Sequence, residues 1–231
     1  MGITDRIHAL EDEIASACDH AGRRRSELTL VAVSKTRTAD ELVVAARAGI
    51  ADFGENRVQE AVAKIPMVSA AVPGLNWHLI GHLQTNKVRL AIELFGLIHS
   101  VDSIRLASEL DRRASVAGKS VELLIEVNTS GEESKFGVQP SALMELVEQV
   151  IEMPGLRLTG LMTIGPGWAV SDPEASRPCF RLLHQLRDEA SRRTELSLPH
   201  LSMGMSADFG VGIEEGATII RVGTALFGPR A

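Results

Sequence analysis

The sequence predicts a single (β/α)8 TIM barrel preceded by an extra N-terminal helix, and three observations carry that expectation. Eight short apolar runs, several rich in β-branched residues, alternate with stretches of helical spacing along the 231 residues. The connections are mostly short, and no composition shift or fixed-period repeat marks a linker or an array. Polar residues stand where the apolar runs stop, which is where such a barrel gathers its site. The runner-up is an open doubly wound sheet. It is disfavoured because the first strand-to-helix turn lacks the Gly-x-Gly-x-x-Gly of a dinucleotide-binding version. The whole chain, 1–231, is expected to form one barrel domain.

Taken in order, Ile3, Ile7, Leu10, Ile14 and Ala17 recur three or four apart and predict an amphipathic helix within residues 1–24. Leu30 to Val33 is a buried-strand run that ends at Ser34-Lys35-Thr36. Thr38 with Glu41 has the form of a capping box, so a helix starts there and Gly49 stops it. Ile50 to Asn56 gives the second strand, Arg57 to Ile65 a helix, and Pro66 to Gly74 a loop. Asn76 to His82 is the third strand and Leu83 to Phe95 its helix. Leu97 to Asp102 is the fourth, followed by a helix over Ser103 to Ala117 that stops at Gly118. Val121 to Asn128 is the fifth, with a polar loop from Thr129 to Gly137 and a helix beginning at Pro140. Leu156 to Ile164 is the sixth, closed by Gly165-Pro-Gly and followed by a long helix from Glu174 to Arg193. His200 to Ser206 is the seventh, with a short helical piece over Asp208 to Gly216. Thr218 to Gly223 is the eighth.

A net charge of −6 argues against nucleic acid or an anionic membrane as the main partner. The run Arg23-Arg24-Arg25 is the exception, and it is expected to be a solvated helix end. Two cysteines, Cys18 and Cys179, cannot make a disulfide framework and lack metal-ligand spacing. No apolar stretch reaches membrane-spanning length and no signal-peptide core opens the chain. A cytoplasmic protein is therefore expected.

Reading the strand ends gives Lys35, then Glu55 and Asn56, His78 and His82, Asp102, Asn128, Met162 with Thr163, Ser206, and Gly223 with Thr224. Lys35 is either a solvated lysine at a strand edge or a desolvated amine able to form a Schiff base with a carbonyl. The loops after strands seven and eight are where barrels of this kind often bind phosphate. Ser206 and the pair Gly223-Thr224 there supply hydroxyls, backbone N–H groups and a close backbone approach, although glycines also serve plain tight turns. A phosphate site and a lysine across one mouth suit pyridoxal 5′-phosphate (PLP). Arg221, two residues before Gly223, would donate to the pyridine nitrogen and keep it unprotonated; otherwise it pairs with a carboxylate such as Glu55. His78 and His82, four apart on a strand and turn, read as structural histidines rather than zinc ligands. Lys135 is a second amine near the mouth, read as a solvated loop lysine.

Seven segments then show a family resemblance: Ala32-Val-Ser-Lys-Thr, Phe53-Gly-Glu-Asn-Arg-Val-Gln-Glu, Trp77-His-Leu-Ile-Gly-His-Leu-Gln-Thr-Asn-Lys, Glu126-Val-Asn, Gly160-Leu-Met-Thr-Ile, Leu201-Ser-Met-Gly-Met-Ser-Ala-Asp-Phe and Arg221-Val-Gly-Thr-Ala-Leu-Phe-Gly. They span nearly the whole chain, in order. The chain resembles the pyridoxal phosphate homeostasis proteins of the YggS/PROSC type, which look like the barrel half of alanine racemase. The resemblance implies that Lys35 holds PLP as a Schiff base and that Ser206, Gly223 and Thr224 bind its phosphate. It implies that Arg221 faces the pyridine nitrogen and that Asn56, Met162 and Ser202 line the pocket. Two segments depart from the family pattern: the loop from Gly165 to Ser171, and Gly204 where an acidic residue is common.

Family knowledge implies a protein that buffers PLP and delivers it to apoenzymes, without established turnover. The residues agree, because a two-base racemase of this fold uses a tyrosine opposite the lysine and the chain contains none. Residues for a second, β-rich domain after the eighth strand are not expected either, and a monomer follows. The alternatives are a small PLP-dependent amino-acid racemase with another second base, and a cofactor-free Schiff-base aldolase acting through Lys35.

Overall fold

The computed structural model describes residues 1–228. Its strands are β1 (Thr29–Val33), β2 (Asp52–Glu55), β3 (Asn76–Leu79), β4 (Leu97–Val101), β5 (Val121–Glu126), β6 (Leu156–Met162), β7 (His200–Met205) and β8 (Ile219–Val222). Each pairs in parallel with the next in chain order, and β8 pairs with β1 to close the barrel. The helices are α1 (Ile3–His20), α2 (Ala39–Arg47), α3 (Val58–Ala71), α4 (Val88–Leu94), α5 (Ile104–Ala117), α6 (Leu143–Ile151), α7 (Arg177–Thr194), α8 (Phe209–Glu214) and α9 (Thr224–Phe227). None of the described helices is long and apolar enough to cross a membrane.

Because side chains alternate along a strand, each strand serves two cores. The larger lies between sheet and helices and holds Phe53, Leu79, Ile98, Leu123, Leu161 and Ile220 with their helical partners. The smaller lies in the lumen: Val31, Leu97, Leu124, Met162 and Ile219. The lumen is therefore only partly apolar, and its remaining positions carry polar side chains.

The expected elements appear with four differences. The helix after β2 runs through Pro66 to Ala71 rather than stopping at Ile65. Proline forfeits only its own N–H, whose acceptor would be on Val62, a residue of the exposed side. Buried Ile65 and Val68 hold the helix on the core on both sides of the break. The helices after β3, β5 and β6 begin as 3-10 turns over Thr85–Lys87, Pro140–Ala142 and Pro173–Ser176 and become α-helical only at Val88, Leu143 and Arg177. The chain after β8 forms α9, which apolar spacing over four residues could not announce. The basic run is not simply solvated. Arg23 donates to the carbonyls of Ile213 (2.9 Å) and Ala217 (2.7 Å), and Arg25 grips Glu11, so the run bolts α1 onto the end of α8. Only Arg24 stands in solvent.

The capping box at α2 is formed as expected. The Thr38 hydroxyl accepts from the Glu41 N–H (3.3 Å), and Glu41 accepts from the Thr38 N–H (2.8 Å). Gly160 and Gly210 give a test of how tightly the sheet is closed. A Cβ on Gly160 would lie 2.0 Å from the His200 carbonyl oxygen of the neighbouring strand, whereas one on Gly210 in α8 meets nothing within 4 Å. Gly160→Ala should lower unfolding stability by about 3 kcal/mol or abolish folding. Gly210→Ala should be neutral or stabilising by up to about 1 kcal/mol. Urea titration followed by circular dichroism reads both.

Candidate functional site

Lys35 follows β1 on a loop clamped at both neighbours. The Ser34 N–H donates to the Gly54 carbonyl (2.9 Å), its hydroxyl to Glu55 (2.8 Å), and its carbonyl accepts from Lys64 Nζ (2.8 Å). Thr36 is in the left-handed region (φ 65°) and its N–H donates to Glu60 (3.1 Å). Lys64 also bonds Glu55 (2.8 Å) and Glu60 (3.2 Å), so one amine from α3 ties the carboxylates that hold the loop. Glu55 is fully buried among these groups, and burial raises its carboxyl above the usual range against the pull of Lys64 and Ser34. Lys35 itself is half-buried. The clamp leaves it little freedom of backbone position.

The adjoining lip is built by β7 and β8, the latter paired directly with β1. Asp208 accepts from the Met205 N–H (2.7 Å) and from the Ser176 hydroxyl (2.5 Å), which fixes the loop carrying Ser206. The Ser206 hydroxyl accepts from the Gly223 N–H (3.3 Å), joining the two loops. A Cβ at Gly223 would come within 3.3 Å of the Val33 Cβ, so Gly223 brings β8 against the end of β1 and toward Lys35. Thr224 is exposed beside it. Gly204 has φ 91° and lies against Phe209, a backbone demand that excludes an acidic side chain there.

Arg221 occupies the lumen, 4% exposed. Its Nη1 donates to the Ser202 hydroxyl (2.5 Å) and its Nη2 to the Thr163 carbonyl (2.8 Å). Glu55 is not its partner, because that carboxylate faces outward to Lys64. Desolvation pulls Arg221 down to about 10, with Glu126 and Asp208 opposing from a distance, so the guanidinium stays charged at neutral pH. Among the described residues, no carboxylate pairs directly with it. Met162 and Ser202 are fully buried in the lumen, while Asn56 is partly exposed with its Oδ1 buried and without a hydrogen-bond partner.

Other strand-end residues have structural work. Asn128 turns into the following loop, donating to the Glu132 carbonyl (2.9 Å) and accepting from the Gly131 N–H. His82 faces Asp102 (3.4 Å) and stacks on Phe136 (4.1 Å between rings). His78 contacts Asp52 and His99, as structural histidines do, and no metal-ligating cluster exists among the described residues. Lys135 is not a free loop lysine: it donates to the Gly165 carbonyl (2.5 Å) and pairs with Glu132 (2.6 Å).

Two lumen residues went unread as site candidates in the sequence. Glu126 is 5% exposed at the end of β5, two residues beyond lumen-facing Leu124, and burial with nearby Asp102 raises it to about 7. His99 is fully buried on β4, two residues beyond lumen-facing Leu97. In both cases the available signal was a polar residue at the lumen-facing parity of an otherwise apolar strand.

A closed parallel barrel with a lysine after β1, hydroxyl and N–H donors after β7 and β8, and an arginine beneath them defines the class of alanine racemase-like barrels. Residues 6–231 match the family described as alanine racemase, N-terminal domain, and the chain belongs to it, within its pyridoxal phosphate homeostasis proteins. The chain is 45% identical to the pyridoxal phosphate homeostasis protein of Aquifex aeolicus over 230 residues, covering 100% of this chain and 99% of that one. It is 40% identical to that of Escherichia coli K12, covering 99% and 97%. Among solved structures it is similar to PipY of Synechococcus elongatus PCC7942 with PLP bound, at 37% identity and TM-score 0.85, covering 98% of this chain and 100% of that one. Alanine racemase of Clostridium difficile, at 12% identity and TM-score 0.71, covers 94% of this chain and 56% of its own; it shares the fold.

Glu126 gives a pH prediction. Its folded carboxyl titrates at about 7 against an ordinary 4.5, so the native state holds the proton more tightly than the unfolded chain. That contribution to stability is complete below the unfolded value and lost as pH rises through 7, about 3 kcal/mol in all. Between pH 5 and 7.5, Glu126→Gln should remove this loss, so the stability difference between variant and wild type grows in the variant's favour with pH. Urea denaturation across that range checks it; a pH-independent difference would contradict the assignment.

Proposed function

We propose that this chain binds PLP through a Schiff base on Lys35 and maintains intracellular PLP, buffering it and delivering it to apoenzymes, as a monomer in the cytoplasm. The observation that carries this is the pairing of two lips: a lysine on a clamped loop after β1, and Ser206, Gly223 and Thr224 on joined loops after β7 and β8. The near full-length similarity to PipY, a protein with PLP bound, and to proteins named for PLP homeostasis supports it.

The residues present fit the cofactor. Its aldehyde requires an amine, its phosphate requires N–H and hydroxyl donors without a carboxylate competing for them, and its ring nitrogen requires one polar partner. The mouth offers Lys35 after β1, Arg221 and the Gly223 backbone on the adjoining β8, and Ser206 after β7. Asn56 carries a buried acceptor without a partner, which a bound ligand could satisfy. Met162 and Ser202 form the floor beneath. When bound, PLP supplies an electrophilic carbonyl and an electron-withdrawing ring.

What the chain's own residues do with that group favours holding over turnover. Arg221 remains a cation and can only donate, so a ring nitrogen facing it stays unprotonated and the ring withdraws electrons weakly. The chain has no tyrosine to serve as the second base of a two-base racemase. Cys18 and Cys179 are buried free thiols, in keeping with a reducing compartment.

Addition of PLP should produce a visible absorption band that borohydride bleaches, with the reduced label mapping to Lys35, and Lys35→Ala should stay colourless. A colourless wild type would favour the cofactor-free aldolase. Single-enantiomer amino acids in deuterated water should acquire no solvent deuterium at Cα at enzyme-like rates; rapid exchange would establish the racemase instead. Ser206→Ala should raise the PLP dissociation constant about tenfold, since a charge-assisted hydrogen bond to an anion is worth about 1.5 kcal/mol.

A further inference from the structure

The lumen contains a hydrogen-bonded chain that cofactor seating alone does not require. It starts at Arg221 on β8 and continues through Ser202 on β7 (2.5 Å) to His99 Nδ1 on β4 (2.9 Å). His99 Nε2 meets His78 Nδ1 on β3 (3.0 Å), and His78 Nε2 meets Asp52 Oδ1 on β2 (3.0 Å). Strands β4 and β7 are not neighbours, so the Ser202–His99 bond crosses the barrel interior. Asp52 and His78 line a cavity of about 400 Å³ at the N-terminal end of the strands, opposite the mouth that carries Lys35.

Chemistry fixes the direction of every bond. A guanidinium has donors only, so Ser202 Oγ accepts from Arg221; the Asp52 carboxylate only accepts, so a neutral His78 donates to it from Nε2 and accepts from His99 at Nδ1. The proton of a neutral His99 therefore lies on Nε2, and its Nδ1 accepts from the Ser202 hydroxyl. Five groups from five strands thus share one proton arrangement running from a cation to an anion. Burial, with His78 and Arg221 nearby, holds His99 well below the ordinary imidazole value, consistent with a neutral ring.

We infer that Asp52, His78 and His99 are positioning residues: they keep the proton of the Ser202 hydroxyl turned away from Arg221, so that the arginine is held as a fixed donor beneath the cofactor's ring nitrogen. This rests on the PLP reading of the mouth. Nothing in it requires His78 or His99 to touch the cofactor; they act through Ser202.

The chain polarity can be tested without the cofactor or any substitution. In the PLP-free wild type with 15N-labelled histidine, NMR at pH 8 should find His78 and His99 both neutral with the proton on Nε2. A proton on Nδ1 of either would overturn the inference. With PLP, His99→Leu removes the acceptor for Ser202 and should raise the dissociation constant about tenfold and shift the visible band. His99→Asn places Oδ1 where Nδ1 stood and should restore both to within about threefold of wild type. A His99→Leu protein that is folded by circular dichroism and binds PLP with the wild-type band and affinity would sink the positioning role. A wild type that takes up no PLP at Lys35 would instead overturn the reading of the mouth and the inference with it, while the tautomers still report the chain.

Discussion

A guanidinium enclosed by a sheet with no free edge is the constraint on which this molecule depends. Removing such a charge from water is costly unless its donors are met. Arg221 meets that demand with a backbone carbonyl at the end of β6 and a serine on β7 rather than with a carboxylate. The opposing charges of Glu126 and Asp208 act on it without a direct ion pair. The lumen therefore holds a cation whose direct partners are a carbonyl and a hydroxyl. The polar lumen follows from the same requirement: Ser202 needs an acceptor, His99 provides it, and the sequence of partners continues to Asp52.

Around that cation the two lips are fixed by different means. The lysine loop is held by a compact ionic cluster of Glu55, Glu60 and Lys64 lying outside the barrel, between sheet and α3. The loops after β7 and β8 are held by Asp208 from within and by the Ser206–Gly223 bond between them. Close backbone approach at Gly223 sets the spacing between the lips. Each lip is tied down by contacts of its own, an arrangement suited to seating a ligand without reorganising the fold.

Much of this was legible in the sequence. Alternation of apolar runs with helical spacing gave the barrel and its strand order, since parallel strands joined by short helical crossovers pair with their neighbours. Thr38 with Glu41 announced a capping box, and Lys35, Ser206, Gly223 and Thr224 all stand at strand ends. What stayed hidden has a common cause: it depends on which side chains meet across space. Pro66 reads as a breaker unless Ile65 and Val68 are known to anchor the helix on both sides. Arg23 reads as solvated until α8 presents its carbonyls. His99 and Glu126 are single polar residues within apolar strands, and only closure of the barrel reveals that they face inward toward Arg221.

The central claim is that one lumen arginine, one clamped lysine and one pair of joined loops seat the same molecule. The most direct measurement is a crystal structure of the protein loaded with PLP. The account predicts continuous density from Lys35 Nζ to the cofactor, the phosphate on Ser206, Gly223 and Thr224, and the ring nitrogen toward Arg221. Cofactor joined to another lysine such as Lys135, or a phosphate seated away from the loops after β7 and β8, would contradict it.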